Sequence, residues 1–503
     1  MTTTSANATR GGLLARNTLW NLLGQLLPMG VGLVAVPALV RGMGVARFGV
    51  LSLAWVVVGY FSLFDLGLGR ALTKLVADRL ASHEEEAIPP LVWTSILMMF
   101  LLGLASSLVT WTITPLLVYR VLKIPAELQA ETVRGFHILA LSVPIVTVTS
   151  GLRGVLEAQH RFRLLNVIRI PMSIFSFAGP LLALPFSPSL VPVISILLAG
   201  RLLGLAAHVW GCFRAMPTLR HTFVLRASVV PSVLRFSGWL TVSNIVGPVM
   251  SYLDRFLIGS LLSVATLAYY TAPFDMVTRV TVIPLSVVGV LFPAFAWNLI
   301  QDPSRAGLLL IRGLKYIFLT VFPILLVIVA LAPEALRLWL GSSFAEHGAV
   351  VLRWIAAGVF VNCLATVPFA FVQSAGRPDM TAKLHLLELP LYLIGIWTLT
   401  KKFGIEGSAI AWTTRVILDA AVLFLFARQI LPRNVIFLTK LTTTAAVGLL
   451  WFYLAILPQS LSAKILFLLL SLFIYGLAGW IWGLDTSERV FLLRARTRGQ
   501  STI

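Results

Sequence analysis

The stretch TLWNLLGQLLPMGVGLVAVPALV, residues 18–40, sets the fold class. It contains no charged side chain, and about 20 mainly apolar residues are what a helix needs to cross a bilayer. It is too long for a signal-peptide core and has no A-x-A cleavage site, so it reads as a retained span. Thirteen similar stretches follow it, at 47–68, 89–113, 134–153, 165–185, 190–212, 237–260, 266–294, 312–332, 349–373, 384–400, 405–427, 436–457 and 463–483. Composition agrees: 58% of the 503 residues are hydrophobic and only 12% are charged. The expected fold class is an all-α polytopic membrane protein of about 14 transmembrane helices.

The net charge of +20 comes from 39 basic against 19 acidic residues. No soluble domain is present to carry a basic face, which argues against nucleic-acid binding. Positive loops on the cytoplasmic side explain the excess instead. With both termini inside, 25 of the 39 basic residues fall in inner segments and 10 in outer ones. The remaining four, Arg201, Arg255, Arg279 and Arg415, lie within the spans. Fourteen spans put both termini on one side, and this asymmetry makes the cytoplasmic side the expected one.

The chain also carries a faint repeat. GVARFGVLSLAW at 44–55 resembles SVATLAYYTAPF at 263–274, and Pro28 in the first span is matched by Pro248 in the seventh. Six spans per half give parallel repeats about an axis along the membrane normal. The expected organisation is a cytoplasmic tail at 1–17, a six-helix bundle at 18–212 and a basic linker at 213–236. A second six-helix bundle at 237–430, two additional helices within 431–484 and a basic tail at 485–503 complete it.

A charge in hydrocarbon costs about 2.5–3.5 kcal/mol on insertion scales, so intramembrane ionisable residues are functional candidates. The four arginines are candidate cavity cations. The acids Asp254, Asp275 and Asp419 are candidate cavity or coupling groups, and the interior reads as net positive. Asp275 and Arg279, like Arg415 and Asp419, stand four apart and share a helix face, where each pair can neutralise itself. Asp254 and Arg255 are adjacent, about 100° apart around a helix, so pairing with each other is not expected. Arg201 has no acid at pairing distance in its own helix. Arg201 and Arg255 are therefore the strongest candidates for an anionic substrate, against a reading as interfacial snorkelling groups.

Asp65, Arg70, Lys74 and Arg153 form a candidate inner gate, with a solvated interfacial anchor as the alternative. Proline interrupts several spans, at Pro28, Pro37, Pro144, Pro171, Pro248, Pro273, Pro284, Pro323 and Pro368. Cys212 and Cys363 read as packing residues. No HExxH, P-loop, CxxC pair, GxSxG or acidic metal cluster is present, which leaves no enzyme motif, no metal site and no expected cofactor.

The start, RNTLWNLLGQLLPMGVGLVAVPALVRGMGVARFGVLSLAW, with FDLGLGRALTKLVA, resembles the Wzx-type polysaccharide flippases. LDRFLIGSLLSVATLAYYTAPFDMVTRV and FVQSAGRP are similar to the same family. These proteins belong to the multidrug/oligosaccharidyl-lipid/polysaccharide exporter superfamily. The resemblance implies two six-helix bundles around a cationic central cavity, working by alternating access. It implies transport of an undecaprenyl-diphosphate-linked oligosaccharide across the bacterial inner membrane for O-antigen or exopolysaccharide synthesis. It further implies membrane lipids, a polysaccharide polymerase and a chain-length regulator as partners, and a monomeric transporter. A peptidoglycan-precursor flippase and an ion-coupled multidrug exporter remain the alternatives. The first span lacks the carboxylate that drug exporters often carry there.

Overall fold

The computed structural model describes residues 27–483, apart from 29, 62–66, 160, 232, 234–249, 251 and 432–437. Asp65, Pro248, both expected terminal tails and most of the seventh span's first half lie outside the described residues. What is described is helical, as hydrocarbon demands: backbone N–H and C=O groups must find partners within their own segment. Nine helices among the described residues are long and apolar enough to cross a membrane, and shorter apolar helices add to them.

The chain forms two compact units. The first runs to Ala272 and includes Ile396–Ile405; the second comprises Pro273–Gly395 and the chain from Glu406 onward.

In the first unit, α1 (Gly30–Met43) and α2 (Val45–Phe61) are separated by Gly44, whose φ of 80° lies in the left-handed region that glycine tolerates. Then come α3 (Leu68–Ala81), α4 (Ile88–Leu116), α5 (Ala126–Ala140), α6 (Ser142–Ala158), α7 (Phe162–Ala178) and α8 (Leu190–Ala215). Residues 252–261 form α9, and α10 (Val264–Thr278) carries the chain past the unit boundary. The core between α3, α4, α6 and α8 is aliphatic and fully closed, with Leu72, Val76, Val155 and Leu156 at zero exposure.

The expected fourth span is broken. Pro144 has no N–H to offer the Ala140 carbonyl, and α5 gives way to α6 at Leu141. Ser107 of α4 takes up that carbonyl at 2.8 Å. The Ser142 hydroxyl donates to Leu139 O at 2.6 Å on the other side of the break.

The second unit contains the end of α10, α11 (Val282–Gln301), α12 (Pro303–Ala330), α13 (Ala332–Leu340), α14 (Ser342–Ser374) and most of α15 (Pro378–Ile430). Two further helices follow, α16 (Leu438–Leu454) and α17 (Leu461–Ala478). Here the expected eighth span is also interrupted. The α-helix stops at Thr278, a 3-10 turn covers Arg279–Thr281, and α11 begins at Val282. Pro284 explains the position, since it cannot donate to the Val280 carbonyl. In α15 the backbone reverses its helical path at Gly404, with φ 62° and ψ −144°, and divides the element into two helical halves. That break falls between the expected eleventh and twelfth spans.

The two C-terminal helices are tied into the second unit. Phe318 and Phe322 of α12 meet Tyr475 of α17 at 5.9 and 5.0 Å between ring centroids, and the Tyr475 hydroxyl donates to Phe318 O at 3.0 Å. Buried Lys464 donates to Glu334 of α13 at 2.8 Å. Glu334 lies outside the spans. Burial works to raise its pKa, and the hydrogen bond and charge of Lys464, with the charge of Arg353, outweigh that and hold it below the ordinary value.

Candidate functional site

Arg201 sits on α8 beside the α5–α6 break. Its Nη1 donates to the Ser142 hydroxyl at 2.7 Å. A guanidinium has five N–H donors, and the residue is only half-buried. The side chain therefore braces the first residue of α6 while part of it stays accessible. The sequence offered no acid for Arg201; the structure supplies a hydroxyl from another helix.

Arg255 departs from expectation. It pairs with its neighbour Asp254, Nη1 to Oδ1 at 3.6 Å, and both residues are buried, at 3% and 0% exposure. The reason is local. Asp254 Oδ1 accepts the Arg255 backbone N–H at 2.8 Å, which turns the carboxylate toward the following residue. The Tyr270 hydroxyl donates to the other oxygen at 2.7 Å, and the guanidinium lies over the Tyr252 ring at 5.3 Å. Adjacent Cβ atoms point about 100° apart on a helix, but a long guanidinium can curl back across that angle. This cluster is an internal ion pair, built within the first unit.

Asp275 and Arg279 no longer share a continuous α-helix, because Arg279 opens the 3-10 turn. Arg279 is exposed, Asp275 half-buried.

Within the first unit, α3 and α6 cross closely. A Cβ on Gly154 would lie 2.7 Å from Gly69 O, so only glycine permits the approach. Arg70 and Arg153 adjoin those two glycines in sequence and are both exposed, as is Lys74 one turn further on. Arg153 is 3.5 Å from Glu157, and Lys74 is 4.0 Å from Asp78. The structure thus brings three of the four candidate gate residues to one helix crossing. The fourth, Asp65, is outside the described residues.

Arg415 and Asp419 have company that the sequence reading overlooked. His385, Glu388 and Tyr392, on the first half of α15, meet them on the second half. His385 Nε2 is 3.5 Å from Asp419 Oδ1, and the Arg415 guanidinium is 5.8 Å from the Tyr392 ring centre. Glu388, only 8% exposed, is under the charges of Asp419, Arg415 and His385. The signal was available in KLHLLELPLYL: His385, Glu388 and Tyr392 follow the i, i+3, i+7 spacing of one helix face. Glu388 is thus a further acid within the expected spans, beside Asp254, Asp275 and Asp419. Among the described residues, the buried charges are Arg255 and Lys464 against Asp254, Glu388 and Asp419.

Cys212 and Cys363 are buried free thiols, and Cys212 Sγ donates to Leu152 O at 3.3 Å, in keeping with packing roles. No group of three potential metal ligands occurs among the described residues.

Against known proteins, the polysaccharide biosynthesis protein family matches residues 14–298, more than half of the chain. The chain belongs to this family. A putative O-antigen transporter of Shigella flexneri is 28% identical over 426 residues, 83% of this chain and 98% of the relative. Two solved structures share the fold. The inward closed form of the lipid II flippase MurJ covers 91% of this chain and 98% of its own, at TM-score 0.71 and 13% identity. An inward-facing multidrug resistance MATE transporter of the MOP superfamily covers 81% and 97%, at TM-score 0.67 and 14% identity. At such identities the structural likeness carries the fold alone. Membership in the family and the apolar helices make the chain a multi-pass membrane protein.

Proposed function

We propose that this protein is a flippase that carries an undecaprenyl-diphosphate-linked oligosaccharide across the bacterial inner membrane for surface polysaccharide synthesis. The observation that carries this reading is the O-antigen transporter match across 98% of that relative's length. The protein acts as a transporter and not as an enzyme: the relative is named for transport, and the sequence carries no catalytic motif. Its termini are cytoplasmic, and residues 18–212 and 237–430 act as two six-helix bundles. The transporter works as a monomer and delivers its substrate to a polymerase and a chain-length regulator.

Accessible cations fit the diphosphate best. Arg201 of the first unit and Arg279 of the second are each suited to meet it within the membrane, because a guanidinium grips phosphate oxygens bidentately. Arg70, Lys74 and Arg153 draw it in at the inner end. Arg255, with Asp254, is a structural pair. Asp275, Arg415 and Asp419 tune the charge of the pathway.

Complementation of a deletion strain tests this division. Arg201→Ala and Arg279→Ala should reduce surface polysaccharide while membrane protein levels hold. Arg255→Ala should instead lower the amount of folded protein, because it removes the guanidinium that faces the buried Asp254 carboxylate. Full export by both of the first two variants contradicts the substrate assignment. Altered drug susceptibility with intact polysaccharide would point to a small-molecule exporter.

A further inference from the structure

The cluster on α15 has an unusual hydrogen-bond balance. Among the described residues, both Glu388 carboxyl oxygens, Asp419 Oδ1 and Arg415 Nε are buried without a hydrogen-bond partner. Glu388 is more than nine-tenths buried and acts directly on Asp419, Arg415 and His385. An ionised carboxylate is an acceptor only, and burying one without a donor is among the most unfavourable arrangements in a protein. Two carboxylates set close together in apolar surroundings do not both ionise readily; such a pair holds a proton between them.

Charge counting points the same way. Glu388 and Asp419 ionised, Arg415 cationic and His385 neutral leave a net charge of −1 inside membrane-spanning helix. One proton makes the cluster neutral. The His385 side chain is 29% exposed, and its Nε2 lies 3.5 Å from Asp419 Oδ1 without forming a hydrogen bond. Its other face is covered by Phe369 of α14, stacked at 6.1 Å. The charged groups acting on Glu388 are Asp419, Arg415 and His385, and Phe369 brings no charge.

We propose that Glu388 is the proton-binding residue of the second unit: in this conformation it is held as the carboxylic acid, sharing its proton with Asp419. Protonation turns an acceptor without a donor into an O–H that Asp419 can receive. Loss of the proton leaves Glu388 charged and in need of a donor, and Arg415, on the other half of α15, is the cation within reach. The proton therefore decides whether Arg415 is drawn to Glu388 or left against Tyr392. That this site sets the energy coupling of transport rests on the flippase reading; the proton site itself does not.

Infrared difference spectroscopy on the full-length protein in lipid nanodiscs tests the site without any transport substrate. A buried carboxylic-acid C=O band should be present at neutral pH and disappear on alkaline titration. Isotopically labelled glutamate should shift that band in the unaltered protein, so the assignment does not depend on a variant folding. Glu388→Gln should abolish the band, and His385→Asn should keep it. A spectrum with no such band, a band indifferent to glutamate labelling, or a band that survives Glu388→Gln overturns the proposal.

Discussion

Tyr270 donates to Asp254 at 2.7 Å while Asp254 meets Arg255 at 3.6 Å, and all three side chains are buried. Such a pair contributes little net stability when intact, but removing one partner leaves an uncompensated charge, at a cost of about 3–5 kcal/mol. Asp254→Ala should therefore lower thermal stability sharply, measured by scanning fluorimetry of the purified protein. Tyr270→Phe, which deletes one hydrogen bond to a charged group, should cost about 1.5–3 kcal/mol. A negligible effect of Asp254→Ala would show that Arg255 reaches solvent or another partner. Sequence alone made Arg255 a candidate substrate contact, since the adjacent acid was assigned to another helix face. Backbone capture of the Asp254 carboxylate by the Arg255 N–H reverses that, and nothing in residue spacing signals it. Glu388 is the opposite case: its face-sharing with His385 and Tyr392 was legible in the sequence and was passed over.

Among the elements, one glycine carries an unusual constraint. A Cβ on Gly49 of α2 would lie 1.8 Å from Val264 O at the start of α10. Both positions belong to the first unit, and Ser52 and Thr271 are joined nearby at 3.3 Å. These are the two segments whose similarity marked the internal repeat. Gly49→Ala must push the helices apart, with a cost of about 1–3 kcal/mol or more for overpacking. A melting temperature equal to that of the unaltered protein would contradict the observed approach. The apolar spans themselves were readable because a bilayer imposes length and hydropathy directly. The breaks at Leu141 and Arg279 were less so. Pro144 and Pro284 announced a disturbance, but the Ser107 hydroxyl that takes up the Ala140 carbonyl comes from another helix.

The same scale holds the pH dependence of the C-terminal helices. Glu334 is held below its ordinary pKa by Lys464. A carboxyl depressed in the folded state contributes stability that is complete above its unfolded value and is lost as pH falls through the folded one. Unaltered protein should thus be more stable than Glu334→Gln at neutral pH, and the gap should close on acidification below the ordinary carboxylate range. A gap that widens toward acid would reverse the sign and refute the pairing.

For the whole molecule, the sequence pattern implied two parallel halves and an anion-handling transporter, and the family resemblance implied that the anion is a lipid-linked saccharide. Family membership and the shared fold agree with the class. The charge of the interior was not legible in the same way, because it depends on which side chains are buried together. Here the acids at 254, 388 and 419 are buried, while Arg279 is exposed and Arg201 only half-buried. The proposed contact with the anionic cargo therefore falls to these more accessible arginines.

The central claim is movement of a lipid-linked saccharide between leaflets. The direct measurement uses purified protein in liposomes carrying a fluorescent undecaprenyl-diphosphate oligosaccharide, with a membrane-impermeant quencher reading the outer leaflet. The account predicts that the protected fraction becomes accessible faster in protein-containing vesicles than in empty ones, and that Arg201→Ala slows this exchange. Exchange equal to that of empty vesicles, from protein shown to be folded, would contradict it.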